Sequence, residues 1–268
     1  YADGTAFQMI PDFLGEYGVT PEAVIRQMDA AGVEKAVMLQ GQFLGMQNLY
    51  TWQAAQKYPG RLAAAAMYDP FCRNAGAGRR FSILKLEVST GSGLMSYHDS
   101  FALDGEMMEE VLCYAQAQGN VVVFDIGRYG SECWQPQALA RAARRHPGLQ
   151  FVVCHLLAPQ GRAHEAEWRE GMRALALENV AFDLASLPSN QGEAYPYPNA
   201  AELVRQAIGM VGSDHLMWGS DLPMNLCRAS YRELIDYIRL DSQINSRDKD
   251  NILYRTAERI YFQEQGGA

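Results

Sequence analysis

Four short apolar segments of this 268-residue chain end in ionisable side chains. Ile83, Lys85 and Glu87 share one parity; so do Val121, Val123 and Asp125, then Phe151, Val153 and His155, then Met217, Gly219 and Asp221. In an extended strand alternate side chains face the same way, so each series runs from apolar positions to a charge on one face. Buried charges are costly unless they are paired or hold a metal. Their recurrence points to one shared polar site built from Lys85, Glu87, Asp125, His155 and Asp221. A histidine among carboxylates suits a divalent transition metal or a proton-transfer pair. Each residue also has a plain structural reading. His155 could be a satisfied core histidine, Asp221 an N-cap before Leu222-Pro223, Lys85 and Glu87 a mutual ion pair, and Asp125 a turn residue. The joint pattern carries the functional reading.

Other segments say less. Arg128-Tyr129 and Trp134 follow the segment ending at Asp125 and could bind an anionic or aromatic ligand; a solvated loop is equally consistent. Glu193-Ala-Tyr-Pro-Tyr-Pro198 reads as a substrate-covering loop contributing Tyr195, or as a proline-braced connection. Residues 74–80 lack both the G-x-G-x-x-G and the P-loop pattern; they read as a flexible loop with Arg79 or Arg80 as a minor anion contact. The absence of G-x-S-x-G argues against a serine hydrolase. His98, His146, His164 and His215 are expected as surface or capping residues. Five widely spaced cysteines (Cys72, Cys113, Cys133, Cys154, Cys227), with no C-x-x-C, fit reduced thiols in a cytoplasm.

The elements that must position these groups alternate strand and helix. Thr20-Pro21-Glu22 starts a helix and Gly32 ends it. Strands are predicted over 35–41, 62–67, 82–88, 120–126, 150–156, 180–184 and 215–219. Helices are predicted over 48–58, from Asp104, over 136–145, 165–177, from Asn199, and around 231–239 and 247–261. Strands separated by helices imply parallel pairing. Seven strands fit a (β/α)8 barrel better than an open doubly wound sheet, with the first strand truncated or atypical; residues 5–10 are a weak candidate for it. No linker divides the chain, so residues 1–268 read as one domain. In a barrel, functional groups gather at the carboxyl ends of strands, where the four charged positions lie.

Composition narrows the partners. Lysines and arginines number 23 and acids 31, for a net charge of −8, which disfavours nucleic acid and anionic membranes. No apolar run approaches the ~20 residues that span a bilayer, and no signal peptide is visible. A cytoplasmic protein acting on a small molecule is expected; such barrels are often homodimers, though no residue here marks an interface.

Several stretches resemble the amidohydrolase-2 family of the amidohydrolase superfamily, related to the aminocarboxymuconate-semialdehyde decarboxylase-like group. They are residues 19–38 with their Ala-Ala-Gly-Val, Tyr58-Pro-Gly-Arg61 with Tyr68-Asp-Pro70, Phe151-Val-Val-Cys-His155, Trp218-Gly-Ser-Asp-Leu-Pro223 and the closing 251–261 helix. The resemblance implies a metal-dependent (β/α)8 hydrolase. The family usually holds its ion with H-x-H on the first strand, a fifth-strand histidine and an eighth-strand aspartate. By position Asp221 is that aspartate, a metal ligand and general base, and His155 orients water or polarises substrate. Two departures stand out. The chain contains no H-x-H, and Asp125 occupies the fifth-strand histidine position. Either the first strand is lost upstream, or the metal site is altered or empty. Asp125, His155 and Asp221 alone make a poor zinc site; with the missing segment restored, Asp125 favours a harder ion such as manganese.

The resemblance therefore implies hydrolysis of a small carboxylate-bearing cyclic or aromatic compound, lactone or amide. A divalent metal, zinc first, would activate water, and Arg128 or Lys85 would hold the substrate carboxylate, with Glu87 and Tyr195 nearby. The alternatives are non-oxidative decarboxylation or hydration at the same site, and a catalytically silent barrel.

Overall fold

The computed structural model describes residues 19–41, 45–72 and 81–262. Helix α1 (Pro21–Ala31) starts as its sequence dictates. Thr20 Oγ1 accepts from the Ala23 amide at 3.3 Å, Pro21 opens the first turn, and Gly32 closes it at φ 75°. Seven strands follow: β1 (Ala36–Met38), β2 (Leu62–Met67), β3 (Ile83–Glu87), β4 (Val121–Asp125), β5 (Gln150–Val153), β6 (Val180–Asp183) and β7 (Leu216–Met217). All pair in parallel and in chain order. This is the curled sheet of a barrel, as the strand–helix alternation predicts. The candidate first strand at 5–10 and the loop at 74–80 with Arg79 and Arg80 lie outside the described residues.

Alternation sorts the strand side chains into two layers. Ala65, Ile83, Val121, Val123, Val152, Cys154, Ala181 and Met217 fill the concave interior. Leu84, Leu86, Val122, Phe124, Phe151, Val153 and Phe182 face the helices. Those helices are α2 (Asn48–Lys57), the single turn α3 (Leu94–Tyr97), α4 (Glu106–Gln118), α5 (Pro136–Arg145), α6 (Glu165–Ala174), the short α7 (Leu187–Gln191), α8 (Pro198–Val211), α9 (Glu233–Arg239) and α10 (Ser246–Asp250). Beyond α10 the chain continues in wide π-type turns, Asn251–Arg255 and Glu258–Phe262, and packs Ala257, Ile260 and Tyr261 against the interior cluster.

Two helix starts differ from expectation. α8 begins at Pro198, and the Glu193 carboxylate takes the amides of Asn199 (3.0 Å) and Ala200 (2.7 Å). A preceding acid thus does the capping expected of Asn199. Asp104 does not cap α4, whose N-cap is Gly105; it pairs with Arg141 at 2.6 Å. Among the described residues, no helix is long and apolar enough to cross a membrane.

Candidate active site

Lys85 and Glu87 on β3 and Asp125 on β4 enter the interior by strand alternation, as their parity predicts. Glu87 lies directly opposite Asp125 in the sheet, so two carboxylates are neighbours. A cation lies beside both. Lys85 Nζ is 3.5 Å from Glu87 Oε2 and 3.9 Å from Asp125 Oδ2, and it donates to Cys154 Sγ at 3.2 Å. Ser89 Oγ donates to Glu87 Oε1 at 2.7 Å, and the Gly127 amide donates to Asp125 Oδ1 at 2.9 Å.

His155 reaches the same mouth by a different route from the one predicted. Phe151 and Val153 face the helices, while Val152 and Cys154 face inward. Straight continuation of β5 would point His155 outward. Instead β5 stops at Val153 and the backbone turns left-handed at His155, Leu156, Leu157 and Ala158, with φ of 58°, 52°, 63° and 47°. Four consecutive non-glycine residues in this region are costly, at ~1–2 kcal/mol each. Burial of Leu156 and Leu157 holds the turn, as do two indoles: Trp168 Nε1 donates to the Leu156 carbonyl at 2.8 Å and Trp134 Nε1 to that of Leu157 at 3.4 Å.

The ends of β6 and β7 complete the cluster. Asp183, 5% exposed, accepts at Oδ1 from the His155 amide (2.9 Å) and the Ala185 amide (3.1 Å). Ala185 and Ser186 tie His155 and Asp221 together. The Ala185 carbonyl accepts from His155 Nδ1 at 2.9 Å, and the Ser186 hydroxyl donates to Asp221 Oδ2. Asp221 lies past the two-residue strand β7, at φ 50°. Gly219 allows this approach: a Cβ there would stand 2.8 Å from Ala185 Cβ. Asn225 Nδ2 donates to the Ser220 carbonyl at 2.9 Å and fixes the loop.

The charges follow from this packing. Burial disfavours the His155 imidazolium, yet Asp125, with Nε2 to Oδ2 at 3.2 Å, together with Asp183 and Asp221 outweighs it and pushes the pKa up to about 10. Burial likewise works against charge on Asp125, but Lys85 and His155 hold its carboxyl well below the usual range. Lys85 is desolvated too; Cys154, Glu87 and Asp125 around it keep the ammonium well above the ordinary lysine value. Burial and the Asp125 charge push Glu87 up, with Lys85 opposing. The mouth therefore carries two built-in cations among its acids.

Lys85, Glu87, Asp125, Arg128, His155 and Asp221 all line one cavity, and Asp183 and Ser186 join them. Arg128 lies at the exposed rim, its Nη1 3.5 Å from Gln160 Oε1. Tyr195 is not brought there; it lies 41% exposed, edge-on to Tyr197, and is not part of the lining. Asp183 and Ser186 were missed by the sequence reading. Ala181 and Asp183 form the same apolar-to-acid series that marked β4, whereas nothing in the sequence marks Ser186.

A metal ion needs donors that converge with free lone pairs. His155 engages both ring nitrogens, with Ala185 and Asp125. Lys85 lies where an ion would balance Glu87 and Asp125. Among the described residues, no triad of His, Cys, Asp or Glu at this mouth brings its ligand atoms within 4.8 Å of one another. The described donors do not fit a metal, so an ion here would have to draw on donors beyond them.

Comparison with known proteins places the chain in a family. A stretch of 129 residues is 30% identical to L-fucono-1,5-lactonase of Burkholderia multivorans and covers 46% of this chain and 36% of that protein; the chain thus matches about a third of the relative's length. An amidohydrolase from Burkholderia multivorans with bound zinc superposes with a TM-score of 0.74 at 17% identity, covering 95% of this chain and 96% of the other. A probable 2-pyrone-4,6-dicarboxylic acid hydrolase from Acinetobacter baumannii gives 0.72 at 16% identity, covering 96% and 92%. The 5-carboxyvanillate decarboxylase of Sphingomonas paucimobilis gives 0.62 at 17%, covering 94% and 85%. At these identities the likeness is one of fold. The sequence profile of the amidohydrolases matches residues 6–263, nearly the whole chain, and the protein belongs to the amidohydrolase family.

Proposed function

We propose that this amidohydrolase hydrolyses the ring ester of a small, carboxylate-bearing lactone. The observation that carries the reading is the Ala185-Ser186 clamp, which holds an imidazolium from its carbonyl and a carboxylate from its hydroxyl. A base and a fixed positive charge then face one cavity. Asp221, oriented by Ser186, takes a proton from water as the water attacks the ring carbonyl. The His155 charge stabilises the oxygen on which negative charge develops. Asp221 returns the proton to the departing ring oxygen, giving an open hydroxy acid. Arg128 at the rim pairs with the substrate carboxylate, and Lys85 keeps Glu87 and Asp125 compatible at the floor. No step runs through an ion, because the donors among the described residues are already engaged. The names of the relatives, a 1,5-lactonase and a pyrone dicarboxylate hydrolase, support the substrate class.

The test is acid release from a panel of 1,5-lactones and 2-pyrone-4,6-dicarboxylate, with headspace carbon dioxide measured in parallel. One acid equivalent per turnover without carbon dioxide is expected, and Asp221→Asn lowers kcat at least ~100-fold. Carbon dioxide in place of acid replaces the reading with decarboxylation. No turnover across the panel, in the presence or absence of zinc or manganese, returns the silent barrel.

A further inference from the structure

Away from the barrel mouth, α4 and the end of α5 bring a second chemical triad together. Glu109 and Cys113 sit four residues apart on α4 and so share one face. His146 is the C-cap of α5, held in place because Asn179 Nδ2 ties down the carbonyls of Ala143 (3.0 Å), His146 (2.9 Å) and Leu149 (3.1 Å). The ligand atoms of all three residues lie within 4.8 Å of one another.

Their orientation is unusual for an ordinary ion pair. His146 is 3% exposed, and its buried Nε2 makes no hydrogen bond of acceptable geometry, although Glu109 Oε1 is only 3.0 Å away. A buried ring nitrogen so placed beside a carboxylate oxygen is available to a third partner. Cys113 Sγ lies 3.8 Å from the same Oε1 and is exposed, which leaves room for water. The other carboxylate oxygen, Oε2, is fixed by Arg145 at 2.9 Å, so Oε1 is the atom turned toward the thiol and the imidazole. A tetrahedral zinc with bonds of about 2.0–2.3 Å keeps its ligand atoms roughly 3.3–3.6 Å apart, a spacing that the 3.0 and 3.8 Å separations bracket.

We propose that Glu109, Cys113 and His146 form a peripheral zinc-class site between α4 and α5, with water as the fourth ligand. Neutral His146 ligates through Nε2 with its proton on Nδ1, the Cys113 thiol gives its proton to solvent, and Glu109 ligates through Oε1 while Arg145 holds Oε2. A sulfur–nitrogen–oxygen set selects zinc or cobalt over magnesium, calcium or manganese. None of the three lines the mouth cavity, so the site does not depend on the proposed reaction.

Cobalt titration of the whole protein tests this, because only a thiolate ligand gives an intense sulfur-to-cobalt charge-transfer band. One equivalent of cobalt should produce the band and zinc should displace it. Cys113→Ala should abolish it, Glu109→Gln should weaken cobalt binding at least ~10-fold, and Cys72→Ala, which removes another exposed thiol, should leave it intact. Cys113 is exposed, so its variant should melt like the parent without metal and lose the zinc-induced rise in melting temperature. Absence of the band at stoichiometric cobalt, or a band that survives Cys113→Ala, overturns the proposal.

Discussion

Asp125→Asn removes the strongest charge partner of the mouth imidazolium. At 3.2 Å and an effective dielectric of about 20, two unit charges attract by about 5 kcal/mol. The rise of His155 from an ordinary 6.5 to about 10 corresponds to about 5 kcal/mol as well. Burial opposes the charge, and of the groups that raise the pKa against it Asp125 contributes most, ahead of Asp183 and Asp221. Without it, burial opposes the charge against Asp183 and Asp221 alone, and His155 should titrate below about pH 7. The sign of the stability effect follows from the raised folded-state pKa. The stabilisation is complete below the unfolded value of 6.5 and is lost as pH rises through about 10. Asp125→Asn should therefore cost several kcal/mol by denaturant titration near pH ~6, and the His155-dependent part of that cost should be gone above pH ~10. Ring NMR titration of the five histidines, with His155 assigned by its loss in His155→Gln, gives the midpoint directly. A variant in which His155 still titrates near 10, or whose stability cost is the same at both extremes, refutes the electrostatic account. In the parent, lactone hydrolysis should fall on the alkaline side as His155 loses its proton near that pH.

Three further perturbations follow from the same geometry. Ser186→Ala frees Asp221 from its orienting hydroxyl and should lower kcat about tenfold with KM unchanged, as steady-state kinetics would show. Gly219→Ala places a methyl group 2.8 Å from Ala185 Cβ; it should cost about 1–3 kcal/mol in thermal unfolding and reduce kcat, because the clamp moves. Lys85→Met leaves Glu87 and Asp125 side by side with only the His155 charge near them, at a cost of about 3–5 kcal/mol by denaturant titration.

The sequence carried most of the fold because strand alternation and helix punctuation are local signals. Thr20, Pro21 and Gly32 mark α1, and the apolar runs of β2 to β6 stand where their composition puts them. Lys85, Glu87 and Asp125 were legible because they lie within regular strands, where parity decides the facing. His155 was reached through the wrong parity: a left-handed turn of non-glycine residues has no local signature, and tertiary packing alone imposes it. Asp183 obeyed the same rule as Asp125 and could have been found. Ser186 could not, since a lone serine after a strand is indistinguishable from any loop residue. Tyr195 looked like part of a covering loop, but Pro196 and Pro198 lead into α8, where Tyr195 meets Tyr197 instead of the cavity.

The turn after β5 also makes the chemistry sensitive to residues that never approach a reactant. Its carbonyls are pinned by Trp168 on α6 and by Trp134 in the loop before α5. Trp168→Phe preserves most of the ring volume but strips the donor from the Leu156 carbonyl, a loss of about 1–3 kcal/mol. The backbone would then relax toward ordinary strand geometry and swing the imidazole out of the mouth. Such a change would register as a kinetic lesion in a protein that still folds, so an inactivity screen of this barrel should return hits from its outer shell as well as from its rim.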